Sequence, residues 1–227
     1  RISSVGKTLS SSEYEIYIGD KLSDRVFGSY CTSDSSMFFI TDAFIKIYVK
    51  EKNSFESFSF DGMPTFFLVT SIFEDSKSNI WFGTFHGGLY KFITEKGKIK
   101  VYDIRDGLSS NWISNAGEDK HGNIWVSTWG GGITKINPDG ELKIFDTSNG
   151  LVGNKVRKVV EDREGNLLIG TNEHGLLIFK GEHFVSYFPE DGLVDPQVWA
   201  VEKGQSGKYW IGTNAGISIL DPSKIKG

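Results

Sequence analysis

Apolar residues along the chain fall in short runs with polar residues between them, and each run ends at Gly, Asn or Asp. Period-two alternation punctuated in this way predicts strands joined by tight turns. The strands come in sets of four. In one set, strand a covers 112–118, strand b 123–128, strand c 132–136 and strand d 142–145. The set then recurs. Asn-Ile-Trp-Phe-Gly-Thr from Asn79 returns as Asn-Ile-Trp-Val-Ser-Thr from Asn123, Asn-Leu-Leu-Ile-Gly-Thr from Asn166 and Lys-Tyr-Trp-Ile-Gly-Thr from Lys208. The aligned positions Trp81, Trp125, Leu168 and Trp210 lie 44, 43 and 42 residues apart. The turns Asp61-Gly62-Met63, Asp106-Gly107-Leu108, Asn149-Gly150-Leu151 and Asp191-Gly192-Leu193 keep nearly the same step. A period of roughly 40 to 45 residues built from strands and Gly-rich turns predicts an all-β propeller of four-stranded antiparallel blades, without a helix longer than about two turns.

Five repeats are visible within one domain of 227 residues, at about 20–60, 61–105, 106–148, 149–190 and 191–227. The first is degenerate: Asp20-Lys21-Leu22 holds the turn position without its Gly, and strands b, c and d fall at 37–41, 45–48 and 55–60. The last repeat supplies strands a, b and c at 198–202, 209–213 and 216–220 and lacks strand d, while 15–18 reads as a spare strand. Residues 1–19 are therefore a candidate closing segment. Two readings follow: a closed five-blade ring sealed by 15–18 beside 216–220, or a segment of a longer propeller.

Strand b is apolar on both faces, as a blade packed between two neighbours requires, and Trp81, Trp125 and Trp210 share one face. The turn Asp residues, Asp75, Asp119 and Asp162, read as turn anchors rather than catalysts. The single Cys31 can form no intramolecular disulfide and reads as a small core residue. A net charge of −4 argues against nucleic acid or an anionic membrane as a partner. No apolar run approaches about 18 residues, so no transmembrane helix is expected. Without an initiator Met or a signal segment, the chain reads as a mature or excised fragment.

In a meandering blade the a–b and c–d turns share one face of the disc, and the b–c loops and d-to-a crossovers share the other. The second face is chemically the richer. Its loops carry Phe85, His86, Trp129, Asn172, Glu173, His174 and Asn214, and its crossovers add Asn111, Trp112 and Trp199. Aromatic faces beside amides and charges suit stacking on a sugar ring while its hydroxyls are hydrogen-bonded. Trp112 and Trp199 equally fit as fillers of the central channel. Repeat-to-repeat variation points the same way, since blade packing holds strand residues constant and leaves the b–c loops free to differ. No catalytic constellation, metal-ligand spacing or cofactor motif is present in the sequence, so no catalytic residue, metal or cofactor is assigned.

The elements Asp106-Gly107-Leu108-Ser109, then Glu118-Asp119-Lys120-His121-Gly122-Asn123-Ile124-Trp125-Val126-Ser127-Thr128, then Gly131-Gly132-Ile133, resemble the two-component regulator propeller repeats. These occur in periplasmic sensor regions of hybrid histidine kinase and response-regulator proteins. Near-copies begin at Glu74, Glu161 and Glu202, and the resemblance covers about residues 20–222. It implies an extracytoplasmic, non-catalytic module for a small polar ligand, often a carbohydrate, that signals to C-terminal sensor or kinase domains of a parent protein. Two alternatives stay open: a propeller lyase using His86 and His174 as acid or base, and a structural propeller that joins other domains.

Overall fold

The computed structural model describes residues 25–41, 44–58, 68–181, 183–204 and 206–221. They form five antiparallel meanders in chain order. Blade 1 comprises β1 (Val26–Cys31), β2 (Met37–Thr41), β3 (Phe44–Val49) and β4 (Ser54–Ser57). Blade 2 comprises β5 (Val69–Glu74), β6 (Ile80–Thr84), β7 (Gly88–Ile93) and β8 (Lys98–Tyr102). Blade 3 comprises β9 (Ile113–Glu118), β10 (Ile124–Thr128), β11 (Ile133–Ile136) and β12 (Leu142–Phe145). Blade 4 comprises β13 (Val156–Glu161), β14 (Leu167–Thr171), β15 (Leu176–Phe179) and β16 (Phe184–Tyr187). Blade 5 has three described strands, β17 (Val198–Lys203), β18 (Tyr209–Thr213) and β19 (Gly216–Leu220). The inner strands of all five blades line one central cavity of about 610 Å³, with Tyr30, Ile72, Asn115, Lys158 and Glu202 on its wall. The protein is thus an all-β, five-bladed propeller, and its described helical content is two single 3-10 turns, Thr94–Lys96 and Pro189–Asp191. The expected closing strand at 15–18 and the turns at 20–22 and 61–63 lie outside the described residues.

Every position of β6, β10 and β14 is buried, which confirms that these strands are sandwiched. Alternation sends Phe82 and Ile80 toward blade 1 and Trp81 toward blade 3. Trp125 likewise enters the core between blades 3 and 4, and Leu168 that between blades 4 and 5. Trp81 stacks between Phe73 and Tyr102, with centroids 5.9 and 5.7 Å away.

The turn below each of these strands is tied by its Asp. One Asp75 oxygen accepts the Asn79 backbone N–H at 2.9 Å and the other accepts Trp81 Nε1 at 2.8 Å, while the Asn79 amide reaches both. Asp119 repeats the arrangement with Asn123 and Trp125. The residue before each Asp ties one blade to the one before it. Glu74 accepts the Ser33 N–H at 2.7 Å, Glu118 the Ser76 N–H at 2.6 Å and Glu161 the Lys120 N–H at 2.7 Å. The anchoring role expected for the Asp series is what the geometry shows.

Two expectations are corrected. Trp210 is 48% exposed, against 2% for Trp81 and 7% for Trp125. It occupies the same register position, but on the face of blade 5 turned away from blade 4, and Gly204 stands where the clasping Asp stands in blades 2 to 4. Cys31 is exposed rather than in the core, because β1 is open to solvent along most of its length.

Two stability predictions follow from the clasp. Trp125→Ala should cost about 3 to 5 kcal/mol in urea unfolding, as a large truncation in a packed core. Burial pushes the Asp119 carboxyl up, but hydrogen bonds from Trp125, Asn123 and the backbone of Asn123 and His121 outweigh it and hold the group below the usual carboxylate range. The same balance, with Lys91 added, holds Asp75 low. A depressed folded pKa gives stability that is present above the unfolded value of about 3.9 and is lost as pH falls through the folded one. The deficit of Asp119→Asn relative to the parent should therefore be largest near neutral pH and shrink on acidification below about pH 4. A deficit that does not change with pH would contradict the clasp.

Candidate functional site

The upper face of the disc is stitched by backbone before any side chain is placed. In blades 2 to 5 the first residue of the b–c loop donates its N–H to the start of its own inner strand: Phe85 to Leu68 at 2.8 Å, Trp129 to Trp112 at 2.8 Å, Asn172 to Lys155 at 2.9 Å and Asn214 to Gln197 at 3.1 Å. The loop's last glycine donates to the next blade's crossover, Gly88 to Asn111, Gly132 to Asn154 and Gly175 to Pro196. Side chains of the loops therefore project from a fixed frame, at the seams between blades.

At the seam of blades 2 and 3, Phe85, His86 and Trp112 form one aromatic cluster. His86 meets both neighbours edge-on, with centroids 4.5 Å from Phe85 and 4.3 Å from Trp112, and Phe85 lies 4.6 Å from Trp112. His86 has φ of 81°, whereas the same loop position in blade 3 is Gly130 with φ of 111°. A side chain in this left-handed region is strained, so the imidazole is held there against the local backbone preference.

A second cluster spans blades 3, 4 and 5. The Arg157 guanidinium carbon lies 4.1 Å from the Trp129 ring centroid and 3.8 Å from that of Trp199. Its Nε and Nη2 both donate to Asn172 Oδ1, at 3.2 and 2.7 Å. Lys155 pairs with Glu173 at 2.8 Å, and Asn172 also donates to that carboxylate at 3.2 Å. These hydrogen bonds, with the Lys155 charge, hold the Glu173 carboxyl below its usual range.

The structure thus joins Phe85, His86 and Trp112 in one group and Trp129, Asn172, Glu173 and Trp199 in another. It does not join the two histidines. His174 rests on the backbone of Gly153, where an added Cβ would meet its Nδ1 at 2.3 Å. Asn111 uses Oδ1 to accept the Ile104 N–H at 2.9 Å, as Asn154 does for Thr147 at 3.0 Å, so its side-chain oxygen is spent on the crossover. Asn214 is exposed at the start of its own loop. Trp112 is half-buried and Trp199 49% exposed, and neither is on the wall of the central cavity.

Three of the repeats match the family model described as two component regulator propeller, over residues 68–86, 107–130 and 150–173. Those three stretches are matched as two-component regulator propeller repeats. It is similar to the extracellular domain of the hybrid two component system BT3049 from B. thetaiotaomicron, with 26% identity and a TM-score of 0.79 over 89% of this chain and 28% of that one. The extracellular domain of the one component system BT4673 from B. thetaiotaomicron has a TM-score of 0.73 at 21% identity, over 89% of this chain and again 28% of that one. A streptogramin B lyase shares the fold at 18% identity and a TM-score of 0.67, over 89% of this chain and 71% of that one. A search of curated protein sequences finds no match. The chain therefore spans under a third of the length of the two-component structures it resembles.

Sequence reasoning missed Arg157. It lies inside a strand, where side chains are read as packing, but the register slips at the second residue of every inner strand. These bulges turn Phe27, Thr70, Ser114, Arg157 and Trp199 out of the ladder. The five residues follow the period of the repeat, so aligning the repeats on that column would have exposed the change from small hydroxyls to Arg and Trp.

A prediction on His86 follows. His86→Gly should unfold within about 1 kcal/mol of the parent, since relief of the left-handed backbone offsets the lost ring contacts. A loss of several kcal/mol would show that the ring is a packing element of the propeller.

Proposed function

We propose that this propeller is a non-catalytic, ligand-binding sensor module, recognising a carbohydrate or other small polar ligand on its upper face. The observation that carries the reading is the division of aromatic residues. Trp81 and Trp125 are clasped by Asp75 and Asp119 inside the blade cores, whereas Phe85, Trp112, Trp129 and Trp199 stand at the seams of one face, beside Asn172, Glu173 and His86. Flat apolar faces flanked by amide and charged groups are what a sugar ring needs, an apolar C–H face to stack and hydroxyls to hydrogen-bond. The two-component relatives support an extracytoplasmic location and a signalling role in which occupancy passes to sensor or kinase domains of a parent protein.

The lyase reading has less support. A general acid and base must reach one substrate together, but His86 is packed at the seam of blades 2 and 3 while His174 lies on the crossover entering blade 4. The lyase resemblance, at 18% identity, concerns the fold.

The test is a thermal-shift and calorimetric screen against an oligosaccharide library, since a ligand that binds only the folded state raises its stability. Trp129→Ala should abolish most of the affinity for any saccharide found while changing unfolding by less than about 1 kcal/mol. Retained binding, or a stability loss equal to that of Trp125→Ala, would assign Trp129 to packing and overturn the reading.

A further inference from the structure

We propose that the upper face is selective for a carboxylate-bearing ligand, an acidic saccharide, whose carboxylate docks on the outer edge of the Arg157 guanidinium. The inference rests on the binding reading above and names the chemical class of its ligand.

The bulged column shows why Arg157 is not a structural pin. In blades 2 and 3 this position holds a hydroxyl that closes the seam: Thr70 donates to the Ile113 carbonyl at 2.8 Å, and Ser114 donates to the Val156 carbonyl. Arg157 instead extends between Trp129 and Trp199. Those two rings make no ring contact with each other among the described residues, so they flank the guanidinium on opposite sides.

Charge bookkeeping around it leaves one cation over. Lys155 is paired with Glu173, and Lys158 with Glu202 on the neighbouring inner strand of blade 5. No carboxylate lies within salt-bridge distance of Arg157 among the described residues, and its hydrogen-bond partner is the neutral Asn172 amide. The group is half-buried, and burial pulls its pKa down, yet a guanidinium keeps its charge. A desolvated cation without an anion is a standing cost that a ligand carboxylate would relieve.

Geometry narrows the anion. Asn172 occupies the Nε/Nη2 edge, which leaves the Nη1/Nη2 edge, two parallel donors matched to the two oxygens of a carboxylate. The slot between the two indoles is narrow, with ring centroids 4.1 and 3.8 Å from the guanidinium carbon. A planar carboxylate enters in the plane of the guanidinium, whereas a tetrahedral sulfate directs oxygens at the ring faces. The exposed Trp199 then offers a stacking surface beside the bound acid for the ring that carries it.

The test is calorimetry of the parent, Arg157→Lys, Arg157→Gln and Trp129→Ala with short oligogalacturonates, the same oligomers with their carboxylates reduced to alcohols, and a sulfated neutral galactan oligomer. Melting temperatures of all variants establish that they are folded. The parent should bind the acid on the order of tenfold more tightly than the reduced form. Arg157→Gln should erase that preference, and Arg157→Lys, which keeps charge but loses the fork, should restore only part of it. Equal binding of acidic and reduced oligomers, a preference untouched in Arg157→Gln, or equal binding of the sulfated oligomer would each overturn the carboxylate inference. Where the saccharides still bind and Trp129→Ala abolishes that binding, the proposed function stands without it. No binding of any saccharide here or in the wider library would overturn both.

Discussion

A blade of this protein has two apolar faces and cannot bury either of them alone. Strands β6, β10 and β14 are buried at all five positions because a neighbour lies against each side, and the four interblade cores are built from residues contributed by two blades at a time. Stability in such an array resides in the seams. The Asp–Asn–Trp clasp in the turns of blades 2 and 3 and the Glu that reaches back to the preceding turn in blades 2 to 4 both serve this constraint, the first by fixing the indole that enters the seam and the second by fixing the spacing of the blades.

The upper face is free because its backbone is self-sufficient. The b–c loops of blades 2 to 4 each satisfy their first N–H within their own blade and a later one on the next, so the frame of this face is held by backbone. This is where residue types differ from blade to blade, and where strain is tolerated at His86 and, among the described residues, a cation without a salt-bridge partner at Arg157. Features that cost stability on a face that does not need them for packing point to recognition.

Most of the frame was legible in the sequence, because seam packing forces the same residue types to recur at a fixed step. The strands of blade 3 and β18 and β19 fall where apolar alternation places them. The failures have physical causes. Trp210 shares the motif of Trp81 but has Gly204 in place of the clasping Asp, so the indole pattern was read without its partner. Cys31 was judged by residue type on a strand that is open to solvent. The loop residues Phe85, His86, Trp129 and Asn172 were found as a face, but their division into two clusters depends on distances across seams that sequence does not hold. Arg157 was hidden by a bulge, which shifts a strand residue out of the alternation that strand reading assumes.

Hydrogen exchange with and without a bound oligosaccharide measures the separation of packing frame from recognition face directly. Amides of β6, β10 and β14 should exchange slowly and together, unchanged by ligand, while protection is gained at the loops of Trp129 and Asn172 and at the start of β13. Protection gained instead at the turns of Asp75 and Asp119, or strands β6, β10 and β14 exchanging independently of one another, would contradict it.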